Sequence, residues 1–390
     1  MRFKLSSREI FGLSNVRASS NSFNCNRALR AKRYSSLPFT PLNDDHQASS
    51  NRLVNVCSTD SLPKSQVLTL STIRKLYEDK VPITMLTAHD FSTARMVGMS
   101  ASSSISNNQA ESSLTDRHLA GIDICLVGDS LAMVSLGYSS TTELGFDEFS
   151  SHVQAVRRGL DSLKHEKFHR IPILVADLPF GSYEASLEQG VRSAIELSKR
   201  ARVDGFKIEG GPEIVPLIRR LTSFGMSVFG HIGLTPQRAS SLGGFKVQGH
   251  DSSSKARQII SDALLLQDSG CVALVLEAIP TEVVHQITTR LSIPTIGIGA
   301  GPSTDGQVLV LNDLIGALDS ETPKFVPKFE VPRNSNKMSL SSAKASWKLG
   351  MDIVNEYVYQ VRTRQFPVMG QHTYKMKPQV LKELDEKGWI

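Results

Sequence analysis

Long apolar runs are missing from this 390-residue sequence, and none reaches the ~18 residues a membrane helix needs. Cysteine is scarce. Cys25, Cys57, Cys125 and Cys271 show neither C-x-x-C spacing nor a disulfide-framework pattern, which argues against a thiolate metal site and fits a reducing compartment. Cys125 and Cys271 sit in or beside apolar runs and read as packing residues. No G-x-G-x-x-G follows the first strand-like run, which counts against a dinucleotide-binding sheet.

Acids are nearly absent from the first 34 residues. Arg2, Lys4, Arg8, Arg17, Arg27, Arg30, Lys32 and Arg33 face the single acid Glu9. Eight basic residues against one acid give +7, more than the whole chain's +6, so the body carries about −1. The basic pI therefore does not point to nucleic acid, and the partners expected are small molecules, with neither nucleic acid nor membrane among them. An Arg- and Ser-rich, acid-poor start without a long apolar core reads as a mitochondrial transit peptide over 1–34, cleaved near Tyr34-Ser35. Residues 35–67 are polar and aperiodic, and read as a linker.

Leu70, Ile73 and Leu76 then recur at helical spacing and predict a short helix ending before Val81-Pro82. Beyond it, short apolar runs at 83–86, 124–127, 173–176, 205–208, 227–230, 272–276 and 295–298 alternate with helix-length segments. Near-continuous apolar runs suit strands buried on both faces, and the alternation means α/β. Seven such runs, with an eighth expected at Phe325-Val326, predict a (β/α)8 TIM barrel with an N-terminal helix and a C-terminal helical extension. A doubly wound open sheet is the competing architecture. Residues 342–361 read as one long helix, on the barrel wall or on a neighbouring subunit. The catalytic domain spans 68–374, and 375–390 form a C-terminal tail.

Barrel enzymes carry their chemistry at the C-terminal ends of the strands. The polar residues just after the apolar runs are His89, Asp90, Asp129, Ser130, Asp177, Lys207, Glu209, His231 and Glu277. Each has a plain alternative: Asp129-Ser130 as a helix cap, Asp177 as a turn former, Lys207 and Glu209 as an ion pair on one strand face. Their coincidence at one end of successive strands is what favours a site. Asp129, Asp177 and Glu209 make an oxygen-rich set suited to Mg2+ or a similar hard cation, to which a 2-oxo acid adds two oxygens. Lys207 adds positive charge near the keto oxygen, and Glu277 is the candidate base.

The same positions carry a family resemblance. Leu126-Val127-Gly128-Asp129-Ser130-Leu131, Ala176-Asp177-Leu178-Pro179-Phe180, Lys207-Ile208-Glu209-Gly210-Gly211 and Gly230-His231-Ile232-Gly233-Leu234-Thr235-Pro236-Gln237 come in order. Gly243-Gly244-Phe245-Lys246-Val247-Gln248-Gly249, Val275-Leu276-Glu277 and Ile296-Gly297-Ile298-Gly299-Ala300-Gly301 complete the series. The chain resembles the ketopantoate hydroxymethyltransferase family over about residues 68 to 374. The resemblance implies a homo-oligomer, a decamer, that moves a hydroxymethyl group from 5,10-methylenetetrahydrofolate to 3-methyl-2-oxobutanoate. The product is 2-dehydropantoate, on the route to pantothenate and coenzyme A. It implies Asp129, Asp177 and Glu209 as magnesium positions, Asp129, Ser130, Asp177 and Lys207 as oxo-acid contacts, and Glu277 as proton acceptor. His231 and the 299–301 turn match the motif without an assigned role. The rival reading is a Mg-dependent carbon–carbon lyase or mutase of a related barrel family; an aldolase using Lys207 as a Schiff base is a weaker one.

Two departures stand out. His89 occupies a position where many members carry Tyr. An atypical insertion over 98–115, rich in Ser and Asn, interrupts the first crossover and reads as a retained intron or as a surface loop.

Overall fold

The computed structural model describes residues 66–100, 121–166, 170–329 and 345–390. The transit segment with its cleavage point, the linker up to residue 65 and residues 101–115 of the insertion lie outside the described residues.

Eight parallel strands close into a barrel, and helices run between them. They are β1 (Ile83–Thr87), β2 (Ile124–Val127), β3 (Ile173–Asp177), β4 (Gly205–Glu209), β5 (Val228–Gly233), β6 (Ala273–Glu277), β7 (Thr295–Ile298) and β8 (Gly306–Leu309). The order is β8-β1-β2-β3-β4-β5-β6-β7, and β8 pairs with both β1 and β7 to complete the ring. The closing strand is thus not at Phe325-Val326, which lie in a turn near the barrel mouth. Gly306-Gln307 at its start breaks the apolar pattern, so half of the true eighth strand is invisible to hydropathy. The open-sheet alternative is excluded by closure.

Strand alternation divides the core in two. Ile83, Met85, Ile124, Leu126, Ile173, Val175, Phe229 and Val275 belong to an inner cluster, joined by Ile73 and Leu76 of the helix Leu70–Glu78. Their neighbours Leu86, Cys125, Val127, Leu174, Phe206 and Ile208 belong to a second cluster that includes the surrounding helices. The inner phase of β3, β5 and β6 runs on through Asp177, His231 and Glu277 at the strand ends.

The helix Ala345–Arg362 packs on its own barrel wall: the buried Tyr357 hydroxyl donates to Met85 O at 3.0 Å and to Gln307 O at 2.8 Å, alternative acceptors on β1 and β8. Arg362 at its end and Arg170 flank the fully buried Asp123, at 2.8 and 2.9 Å, just before β2. Residues read as a C-terminal tail include the helix Pro378–Glu386, with Val380 and Leu384 buried.

At the insertion, the helix Phe91–Met99 continues two residues past Val97. Gly98 is buried against Leu163, and the Ser100 hydroxyl accepts from Ile122 N at 3.1 Å. Residues 98–100 are therefore built into the fold, with Ser100 beside Ile122.

Candidate functional site

Asp129, Ser130, Asp177, Lys207, Glu209 and Glu277 all line one cavity of 880 Å3 at the C-terminal mouth of the barrel. His231, named without a role, lines it too, whereas His89 is not among its lining residues. Asp129, Asp177, Lys207, Glu209 and His231 are buried, and Glu277 keeps 15% of its side chain exposed.

The plain alternatives account for the contacts only in part, since Lys207 and Glu209 do form an ion pair. Ser130 makes no side-chain cap to the helix it precedes. Asp177 Oδ2 accepts from Asp129 N at 2.9 Å, across to β2, rather than from its own turn. Lys207 Nζ is nearer Asp177, at 3.0 Å, than Glu209, at 3.6 Å. His231 Nδ1 lies 3.3 Å from Lys207 Nζ, from which it can accept when neutral, and 3.2 Å from Glu209 Oε1, which is buried without a hydrogen-bond partner. Its Nε2 is 3.2 Å from Glu277 Oε2 but out of hydrogen-bond alignment.

Electrostatics sorts these groups. Burial works against a charged Lys207, but Asp177, Glu209 and Asp129 outweigh it and hold the amine as an ammonium. An amine held as an ammonium is a poor nucleophile at neutral pH, which counts against the Schiff-base reading. Burial and the nearby ammonium also oppose a charged His231, yet Glu209 and Glu277 lift it to about 9. Burial, reinforced by Glu209 and Asp177, raises Asp129 well above the usual carboxylate range. Burial raises Asp177 in spite of Lys207. Burial opposes an ionised Glu209, but His231 and Lys207 keep it low. His89 is buried, pushed down to about 4 by desolvation, and pairs through Nδ1 with Ser135 Oγ at 2.8 Å.

Asp129, Asp177, Glu209 and Glu277 gather beside Lys207 and His231, and Asp313, Glu321, Lys246, His250 and Lys324 also line the cavity. Asp177 Oδ1 is buried and has no hydrogen-bond partner. A divalent cation would give that oxygen a partner. Among the described residues no three His, Cys, Asp or Glu side chains close on one point as a ready ligand set. The arrangement fits Mg2+ in the manner usual for that ion, with one or two carboxylates and the remaining positions left to water and substrate.

Two further residues build the site, and hydropathy gave no sign of them. Gln237 Nε2 donates to Asp129 Oδ2 at 2.7 Å, and its backbone N–H donates to Glu209 Oε2 at 3.1 Å. The Tyr183 hydroxyl donates to Gln237 Oε1 at 2.7 Å. The 299–301 turn has a packing explanation: Gly301 adopts a left-handed φ of 85°, and a Cβ there would lie 2.0 Å from Thr281.

The family model for ketopantoate hydroxymethyltransferase matches residues 108–369. A 3-methyl-2-oxobutanoate hydroxymethyltransferase from Emericella nidulans is 40% identical over 324 residues, covering 83% of this chain and 80% of that protein. One of the same name from Anaeromyxobacter is 41% identical over 310 residues, covering 80% and 88%. A solved phosphonopyruvate hydrolase is similar at a TM-score of 0.45 and 12% identity, over 76% of this chain and 99% of its own. That last likeness is too remote to bear on function.

Proposed function

Because this chain belongs to the ketopantoate hydroxymethyltransferase family, we propose that it moves a hydroxymethyl group from 5,10-methylenetetrahydrofolate to 3-methyl-2-oxobutanoate. The product is 2-dehydropantoate, a precursor of pantothenate and coenzyme A. The observation that carries this reading is the gathering of Asp129, Ser130, Asp177, Lys207, Glu209 and Glu277 around one cavity, with none of the family's site positions altered. The family match and the 40% identical relative outweigh the lyase or mutase alternative.

Asp129 and Asp177 would hold Mg2+, with Glu209 acting through water because its Oε1 faces Lys207 and His231. The ion, when bound, supplies Lewis acidity at the keto oxygen of the substrate. Ser130 and the Lys207 ammonium receive the oxo acid, the latter placing positive charge where the keto oxygen gains electron density. Glu277 takes the proton from C3 of the oxo acid. The C3–H electron pair is delocalised towards the keto oxygen and then forms the new bond to the folate-borne carbon. Both C–N bonds of the folate-borne carbon break: that carbon keeps the new bond to C3 and a hydroxyl from water, and the two folate nitrogens leave as N–H, taking the proton removed from C3 and the second proton of water.

The N-terminal composition supports a mitochondrial enzyme with a cleaved presequence over 1–34. The family resemblance supports a homo-oligomer, a decamer. N-terminal sequencing of the mature protein and light scattering check these two points; an intact Met1 or a monomer would refute them. The activity is tested with purified protein, 3-methyl-2-oxobutanoate and methylenetetrahydrofolate, with and without EDTA. Formation of 2-dehydropantoate that EDTA abolishes and Mg2+ restores is expected, and no product from folded protein with Mg2+ would overturn the reading.

A further inference from the structure

Gln237 is 5% exposed and takes no part in the reaction as derived, yet its hydrogen-bonding groups are engaged on all sides. Nε2 donates both to Asp129 Oδ2 at 2.7 Å and to Leu178 O at 3.0 Å. Oε1 accepts from the Tyr183 hydroxyl at 2.7 Å. The backbone N–H, in the short turn Pro236–Arg238, donates to Glu209 Oε2 at 3.1 Å. One residue thus ties together the ends of β2, β3 and β4. Its amide orientation is fixed by chemistry, because the flipped form would set Oε1 against a carboxylate and a carbonyl. Tyr183 is buried, and burial raises its hydroxyl further, so it stays a phenol able to donate.

We infer that Gln237 is a positioning residue for the divalent-cation site, with Tyr183 behind it holding the amide in orientation. Gln237 occupies Asp129 Oδ2 and leaves Oδ1 as the atom offered to the cation. Through its backbone it also fixes the carboxylate of Glu209. The inference rests on the proposed function, since it takes Asp129 to be a metal ligand. Carboxylate ligands are ordinarily oriented by such outer hydrogen bonds.

The test is calorimetric titration of the full chain with Mg2+ in the presence of 3-methyl-2-oxobutanoate and the absence of folate. Gln237→Met keeps the volume and removes the donors. It should weaken Mg2+ binding by about 10- to 100-fold, the scale for losing an outer partner of a ligand. Tyr183→Phe should weaken it less, and the two losses should be less than additive, because Tyr183 acts mainly through the amide and its alternative acceptor, Glu209 O, is farther at 3.3 Å. Losses that simply add, or Mg2+ affinity unchanged in folded Gln237→Met, would overturn the inference. Should Gln237→Met fail to fold, Tyr183→Phe decides alone: weakened binding supports the inference and wild-type binding overturns it. A wild-type chain that binds no Mg2+ would instead sink the functional reading, and this inference with it.

Discussion

Lys207 Nζ lies 3.0 Å from Asp177 Oδ2, and the two residues are direct register partners on β4 and β3. Both are buried, so the pair is held out of water at the base of the cavity. Removing the lysine leaves Asp177 without its cation and Glu209 with His231 alone. Breaking a buried pair in this way costs about 3–5 kcal/mol. Lys207→Met should therefore shift the urea midpoint down in Mg2+-free buffer, with part of the loss recovered on adding Mg2+. A midpoint equal to wild type would show that the ammonium does not balance these carboxylates.

Asp129→Ala and Asp177→Ala should each weaken Mg2+-dependent binding of 3-methyl-2-oxobutanoate, because each removes charge and a ligand atom from one ion. Glu209→Ala should be milder, since its Oε1 faces Lys207 and His231. Titration calorimetry distinguishes the three. Unchanged binding in both aspartate variants would refute the metal site.

At the opposite end of the barrel, Asp123 governs acid stability. Burial opposes its ionisation, but Arg362, Arg170 and a hydrogen bond from Thr84 N outweigh that and hold it below its ordinary value of 3.8. A carboxylate lower in the folded than in the unfolded chain contributes stability that is complete above the unfolded value. That stability disappears as pH falls through the folded one. Asp123→Asn should be less stable than wild type at pH 7, with the gap narrowing below pH ~4. Urea melts of both proteins from pH 7 to pH 3 check this. A gap that does not change with pH would contradict it.

Gly306 opens the closing strand, and a Cβ there would sit 2.5 Å from Ile83 O. Gly306→Ala should force β8 away from β1 and cost about 1–3 kcal/mol, as overpacking does. A wild-type melting temperature would mean that the two strands yield without cost.

This glycine also marks where sequence reasoning stopped. β2, β3, β5, β6 and β7 are legible because each carries at least three consecutive apolar or small residues, and β1 and β4 because Thr84 and Lys207 are the only interruptions of their runs at 83–86 and 205–208. β8 is hidden by Gly306-Gln307, since Gln307 is buried through hydrogen bonds to Gly301 O and Thr304 Oγ1 that no hydropathy pattern records. The site follows the same division. Lys207 and Glu209 share a strand face by alternation, and Asp177 and Glu277 end their strands, so position alone flags them. Gln237 and Tyr183 lie in loops after β5 and β3, and their partners are set by the folded ring. The Asp123, Arg170 and Arg362 cluster joins residues up to 239 positions apart, which no local pattern reveals.

The central claim is that Glu277 removes the C3 proton of an oxo acid held by the Asp129 and Asp177 site. The most direct measurement is deuterium exchange from solvent into C3 of 3-methyl-2-oxobutanoate, followed by NMR with Mg2+ and without folate. Wild type should exchange, and Glu277→Gln should bind Mg2+ and the oxo acid about as well while exchanging ~100-fold or more slowly, the scale of a positioned base. Exchange by Glu277→Gln at the wild-type rate would contradict the account.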